Sequence, residues 1–153
     1  MTKILDILST ILCLVSIATT CLIDYSTPQQ VPVHYAINGK PDGWGSPMMC
    51  VFITALSVAM VCLFLYFKKR PQKMSYPFKI TTQNKEKAYA IGIQLISSLN
   101  FLQTLMFAYI NTMTMVYLKY HCYASQIVIQ TILLLMLIVI GVNYYRLYKL
   151  EHK

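Results

Sequence analysis

Four stretches of the chain run apolar for about twenty residues each with almost no charge: roughly 4–23, 48–67, 88–110 and 124–145. That is the length at which an α-helix crosses a hydrocarbon core of ~30 Å. The pattern therefore predicts an all-α membrane protein, a four-transmembrane-helix bundle in a single domain over residues 1–153. A loop over 24–47, a basic loop over 68–87 and a short turn near Lys119 join the predicted helices. The first run begins at Lys3 as a signal peptide would. Ala18-Thr19-Thr20-Cys21 is a poor cleavage site, however, so a retained helix is expected.

Polar residues interrupt these runs with helical spacing. Asp6, Ser9, Cys13, Ser16 and Thr20 recur at steps of three and four, which puts them on one face. Ser97, Asn100, Thr104 and Asn111 share a face in the same way. The second run offers Thr54 and Ser57, and the fourth Gln126 and Gln130. Small and polar side chains on one face let membrane helices approach and bond across the interface, at about 0.6 kcal/mol per bond. A polar transport path is the competing reading, but such a path usually carries an ionisable residue near the midplane. Asp6 is the sole acid within these stretches, and it stands at one end, where a basic loop residue would pair with it. Gly92 and Gly141 fall near the ends of runs, not in the middle as broken transporter helices would place them.

The basic residues set an orientation. Eleven of the thirteen Lys and Arg residues lie before the first run, in the 68–87 loop or after the fourth run. Lys40 and Lys119 lie on the other side. The positive-inside rule then puts both termini and the 68–87 loop in the cytoplasm, with the 24-residue loop 24–47 facing outward. Composition agrees with membrane residence: 57% of residues are hydrophobic and 12% charged, too few charges to cover a soluble surface. The formal charge of +8 flanks apolar runs, so it points to anionic lipid headgroups and not to nucleic acid.

The loop 24–47 is the stretch richest in local signals. Val31, Val33, Tyr35 and Ile37 alternate like an extended segment. Asn38-Gly39 is a tight-turn signal, and Pro41-Asp42-Gly43 predicts a second turn before Trp44 returns to the membrane interface. An ordered extracytoplasmic loop is expected. His34 and Asp42 flank the turns and are expected to meet, as a structural hydrogen bond or as two ligands of a bound group. Two ligands are too few for a dedicated zinc site. The five cysteines form no C-x-x-C pair. Cys21, Cys50 and Cys122 lie toward one face, where free thiols are the first expectation and a disulfide the second. With no nucleophile elbow, H-E-x-x-H or phosphate-binding loop, the chain is read as a non-enzyme without cofactor or metal.

Pro32-x-His34 followed by Asn38-Gly39-x-Pro41-Asp42-Gly43-Trp44-Gly45-Ser46 resembles the bacterial membrane domain of unknown function found at the start of SdpI-type toxin-immunity proteins. Pro28 also matches. Val31 stands for the usual Ile, Tyr35 for Phe or Trp, and Pro47 departs from a common basic residue. The inner segment Tyr76-Pro77-Phe78-Lys79-Ile80-Thr81, with Asn84 and Tyr89, is similar to the stretch before the third helix of four-helix members. Asn84 is also a good N-cap. The resemblance spans roughly residues 4–110. It implies a multi-pass protein of the bacterial inner membrane with an immunity-type role.

Three functions follow as expectations. The first is a small envelope binding or immunity-type protein whose outer loop engages a peptide, while its basic loop meets a cytoplasmic protein. The second is a small oligomeric transporter or channel using the polar stripes. The third is a subunit of a larger membrane complex.

Overall fold

The structure is a computed structural model and describes residues 2–26, 29–36 and 40–151. Helix α1 spans Thr2–Cys21. Two strands follow, β1 (Val31–Tyr35) and β2 (Pro41–Gly45). Then come α2 (Met49–Lys69), a short 3-10 turn over Pro71–Lys73, α3 (Lys85–Tyr120) and α4 (Gln126–Glu151). All four helices are long and apolar enough to cross a membrane. The expectation of an all-α chain needs one amendment, the two-stranded antiparallel hairpin β1–β2 between α1 and α2.

Helix α3 is the centre of the bundle. It packs against α1, α2 and α4, while α4 packs chiefly on α3. Its most apolar window is 44% buried, against 11% for α2 and α4. The outward faces are large and apolar, with Ile127, Leu137, Phe52 and Leu14 each at least 60% exposed. In water such faces would drive aggregation. Lipid tails cover them at no such cost.

Helices run up and down, so the chain has two ends. The basic end gathers the start of α1, the end of α2, the start of α3 and the end of α4. Asp6 pairs there with Lys68, both about four-fifths buried. The segment Met74–Thr81 folds back against the helices at the same end. Tyr76, Phe78, Ile80 and Leu150 pack on Ala88, Ile91 and Leu147. The Tyr76 hydroxyl donates to the Pro71 carbonyl at 3.1 Å. Burial, helped by nearby Tyr89, pushes its pKa up to about 12. Arg146 donates to Gln94 at 2.8 Å, tying α4 to α3.

The third helix departs most from its expected bounds. At 36 residues it is about 54 Å long, well beyond a ~30 Å core. It continues past Asn111 for more than two turns, so the residues near Lys119 are helix, not a short turn. It ends at His121, which adopts φ 54° and whose N–H bonds the Tyr117 carbonyl. Asn84 does occupy the N-cap position of α3, but its side chain does not cap the helix. It turns back to the loop instead: Oδ1 accepts from Thr81 N at 2.8 Å, and Nδ2 donates to the Lys79 carbonyl at 3.3 Å. Pro77, Lys79 and Thr81 themselves are exposed on this loop.

Candidate functional site

The site is built at the opposite end, where the hairpin lies over α2, α3 and α4. Register explains its shape. Val31 pairs with Gly45, Pro32 with Trp44, His34 with Gly43 and Tyr35 with Pro41, with shifts on either side of His34. Val33 on β1 and Asp42 on β2 have no place in that ladder. Such bulges bend a strand and re-aim its side chains. Here the shift brings Asp42 Oδ1 to 2.5 Å from His34 Nδ1. The pair is open to solvent, with side chains 73% and 45% exposed, so it adds at most about 1 kcal/mol.

Pro41-Asp42-Gly43 was expected as a turn and lies in strand β2 instead. Proline is tolerated at the first residue of a strand, where its missing N–H costs least. Gly43 and Gly45 serve the close approach of β1, not a turn. A Cβ on Gly43 would sit 2.8 Å from His34 Cβ, and one on Gly45 2.8 Å from Val33 Cγ1. Asn38 and Gly39 lie outside the described residues, as does Pro28. Ser46 closes the motif at the start of α2, its hydroxyl oxygen accepting from Met48 N at 3.2 Å.

Beneath the hairpin is a cavity of about 160 Å³, lined by both faces of the β1 strand and by α2, α3 and α4. Val31 roofs it and is 1% exposed; Cys50, also 1% exposed, closes one wall. Ile53, Ile110, Met113 and Ile129 supply the apolar sides. Thr114 lines it too, but its hydroxyl is spent on the Ile110 carbonyl at 3.0 Å. Tyr35 provides the polar edge. Its oxygen accepts from Ala124 N at 3.4 Å, and burial raises its pKa. The Tyr35 carbonyl accepts from Gln126 Nε2 at 3.5 Å. These contacts hold the strand to the start of α4.

An aromatic stack braces the cavity from the extended part of α3. The Tyr117 ring lies 5.9 Å from Trp44, 5.6 Å from Tyr123 and 5.6 Å from His121. Trp44 therefore rests on α3 and is 45% exposed. Sequence reasoning did not single out Thr114, Tyr117 or Tyr123, and named Val31 only within an extended segment and Cys50 only as a thiol. The available signal was the apolar and aromatic spacing of Met113, Val116 and Tyr117 beyond Asn111.

The polar stripes of the helices form a second, separate cluster. Asn111 Nδ2 lies 2.7 Å from Ser16 Oγ, 3.2 Å from Thr20 Oγ1 and 2.6 Å from Thr54 Oγ1. Thr54 also contacts Thr20 at 2.7 Å and Ser16 at 3.3 Å. Three helices are thus joined at one level. Ser97, Asn100 and Thr104 are buried along the same helix, and the Thr104 hydroxyl donates to the Asn100 carbonyl at 2.8 Å. All five cysteines are free, with Cys13 and Cys50 buried and Cys21, Cys62 and Cys122 exposed. Among the described residues no three His, Cys, Asp or Glu side chains come together as a metal would require.

Residues 11–67 match a family described as a domain of unknown function, DUF1648. This stretch is similar to that domain, and the match covers less than half of the chain. The matched segment takes in most of α1, the hairpin with its His34–Asp42 pair, and nearly all of α2. It contributes the roof and one wall of the cavity and two of the three helices around Asn111. Helix α3, which completes both, and α4, which adds to the cavity, lie outside the match. Comparison with curated proteins and with solved structures finds no match.

Proposed function

We propose that this integral membrane protein is a small envelope binding protein that receives an apolar group of a peptide in the cavity beneath its hairpin. The cavity carries the reading. It is comparable in size to an engineered apolar cavity of about 150 Å³ that accepts benzene, so one bulky hydrophobic side chain is a matching occupant. Concave, mostly apolar sites with a few polar groups at the edge are the usual form of a ligand pocket. Tyr35 supplies that edge.

Orientation is part of the proposal. Charge bias at the basic end supports a cytoplasmic position for that end and both termini, with the hairpin outside; residence in a bacterial inner membrane rests on the resemblance of the loop motif. Exposed Lys79, Lys85 and Lys87 would then lie against anionic headgroups or a cytoplasmic protein. An outward pocket able to hold a membrane-active peptide is the arrangement an immunity-type role needs, and the loop motif resembles that of SdpI-type proteins.

Survival tests it. Host cells lacking the gene are challenged with membrane-active peptide toxins and complemented with wild type, His34→Ala, Asp42→Ala or the cavity-filling Ile53→Phe. The expected outcome is protection by wild type and its loss with Ile53→Phe, at equal membrane levels. Equal survival of the deleted and complemented strains would sink the immunity role.

A further inference from the structure

Helices α1, α2 and α3 meet along a seam whose polar atoms are not all paired. Ser57 Oγ, Ser97 Oγ, Asn100 Oδ1, Asn111 Oδ1 and both amide atoms of Gln103 are buried without a hydrogen-bond partner among the described residues, apart from the weakly bonding Cys13 thiol beside Ser57. The five side chains are each no more than 5% exposed. From Ser97 to Asn111 they cover about 21 Å of α3, much of the thickness of a membrane core. Lipid offers these groups nothing to bond, and a dry interior penalises them.

Local chemistry makes the unpaired atoms more informative. A serine or threonine in a helix can spend its hydroxyl on the carbonyl one turn back. Ser9 does so at 2.8 Å, Thr104 at 2.8 Å and Thr114 at 3.0 Å. Ser57 and Ser97 do not. The two amide protons of Asn111 are shared among three hydroxyl oxygens, yet its carbonyl oxygen is left bare. Five of the six unpaired atoms are oxygens, so what is missing is chiefly a donor.

We propose that this seam is a water-binding site: separate water molecules bridge Ser97, Asn100 and Gln103 on α3 to α1 and α2, and others meet Ser57 and the Asn111 carbonyl. Buried water typically makes about three hydrogen bonds to groups that are otherwise unsatisfied. Water both donates to the oxygens and accepts from the Gln103 amino group. A bound cation matches less well, because it cannot accept from that amino group. Asp6, the sole acid within the α1 and α2 spans, is already engaged by Lys68 at the basic end. Part of the helix contact is then made through exchangeable molecules, which sets it apart from the directly bonded Asn111 level. The seam is independent of the hairpin cavity.

Two measurements decide it on the whole protein in lipid nanodiscs. The first is Ser97→Ala, which deletes one hydroxyl with little change in shape. A hydrated seam loses a bond, and Tm stays level or falls by a few degrees; a dry seam sheds an unpaired group, and a raised Tm overturns the proposal. The second is pulsed X-ray hydroxyl-radical labelling, in which water beside a side chain is the radical source. Cys13 lies buried on the polar face of α1 with Ser9 and Ser16. It should be labelled several-fold faster than the lipid-facing cysteine of a Leu137→Cys variant, a comparison at equal intrinsic reactivity, and the excess should drop in Asn100→Leu. Labelling of Cys13 no faster than that lipid-facing cysteine overturns the proposal, and it does so whether or not Asn100→Leu folds. Neither readout involves peptide binding, so failure here leaves the pocket reading untouched.

Discussion

At the scale of residues, Gly43 shows how tightly the hairpin is drawn. Its position faces His34, and the contact a Cβ would make, 2.8 Å to His34 Cβ, is closer than real side chains allow. His34 Cβ belongs to the strand's own framework and has little freedom to retreat. Gly43→Ala should therefore separate the strands at a cost of about 1–3 kcal/mol, as overpacking generally does. Limited proteolysis within residues 31–45 checks this: the variant should be cut markedly faster than wild type with the helices intact. Cleavage at the wild-type rate would mean that the strands have slack. The His34–Asp42 contact was legible in the sequence as two polar residues flanking turn signals. The bulges that make it were not, because register depends on which side chains can face each other, and Gly43 and Gly45 carry that information only once β1 is in place.

Elements are held by different chemistries at different levels of the bundle. The Asn111 cluster is the clearest case, since one amide group reaches hydroxyls on both α1 and α2. Asn111→Leu should cost about 1–2 kcal/mol, from interhelical bonds worth ~0.6 kcal/mol each and from the crowding of a branched side chain. Unfolding in mixed micelles titrated with dodecyl sulfate measures it, with Leu137→Ala on the lipid-facing side of α4 as the control. An Asn111→Leu midpoint no lower than wild type would make the cluster energetically idle. The polar stripes were visible in the sequence because helical spacing alone puts Ser16, Thr20 and Asn111 on single faces. The full length of α3 was not. Asn111, Thr112 and Thr114 break the hydropathy run, and the helix continues because Met113 and Tyr117 pack under the hairpin and not against lipid. Asn84 misled for a similar reason, its side chain serving Lys79 and Thr81 before the helix it precedes.

For the whole molecule, four apolar runs bounded by charge were enough to read the bundle, because the membrane requirement is a matter of length and hydropathy. The cavity was hidden, since it takes residues from four elements far apart in the chain. The proposed orientation makes its own prediction. Cys122 is exposed at the hairpin end, while Cys62 lies toward the basic end. In intact cells a membrane-impermeant maleimide should label Cys122 in a variant whose other cysteines are Ser. Labelling that appears only after permeabilisation would reverse the topology.

The binding claim is tested most directly through Trp44, the chain's one tryptophan, whose ring rests on Tyr117 at the cavity wall. The measurement is Trp44 fluorescence of the protein in nanodiscs, titrated with tryptophan-free membrane-active peptides. A saturable change that Ile53→Phe abolishes and Leu137→Phe leaves intact is the predicted result. A response that fails to saturate, or that survives filling of the cavity, would contradict a binding site beneath the hairpin.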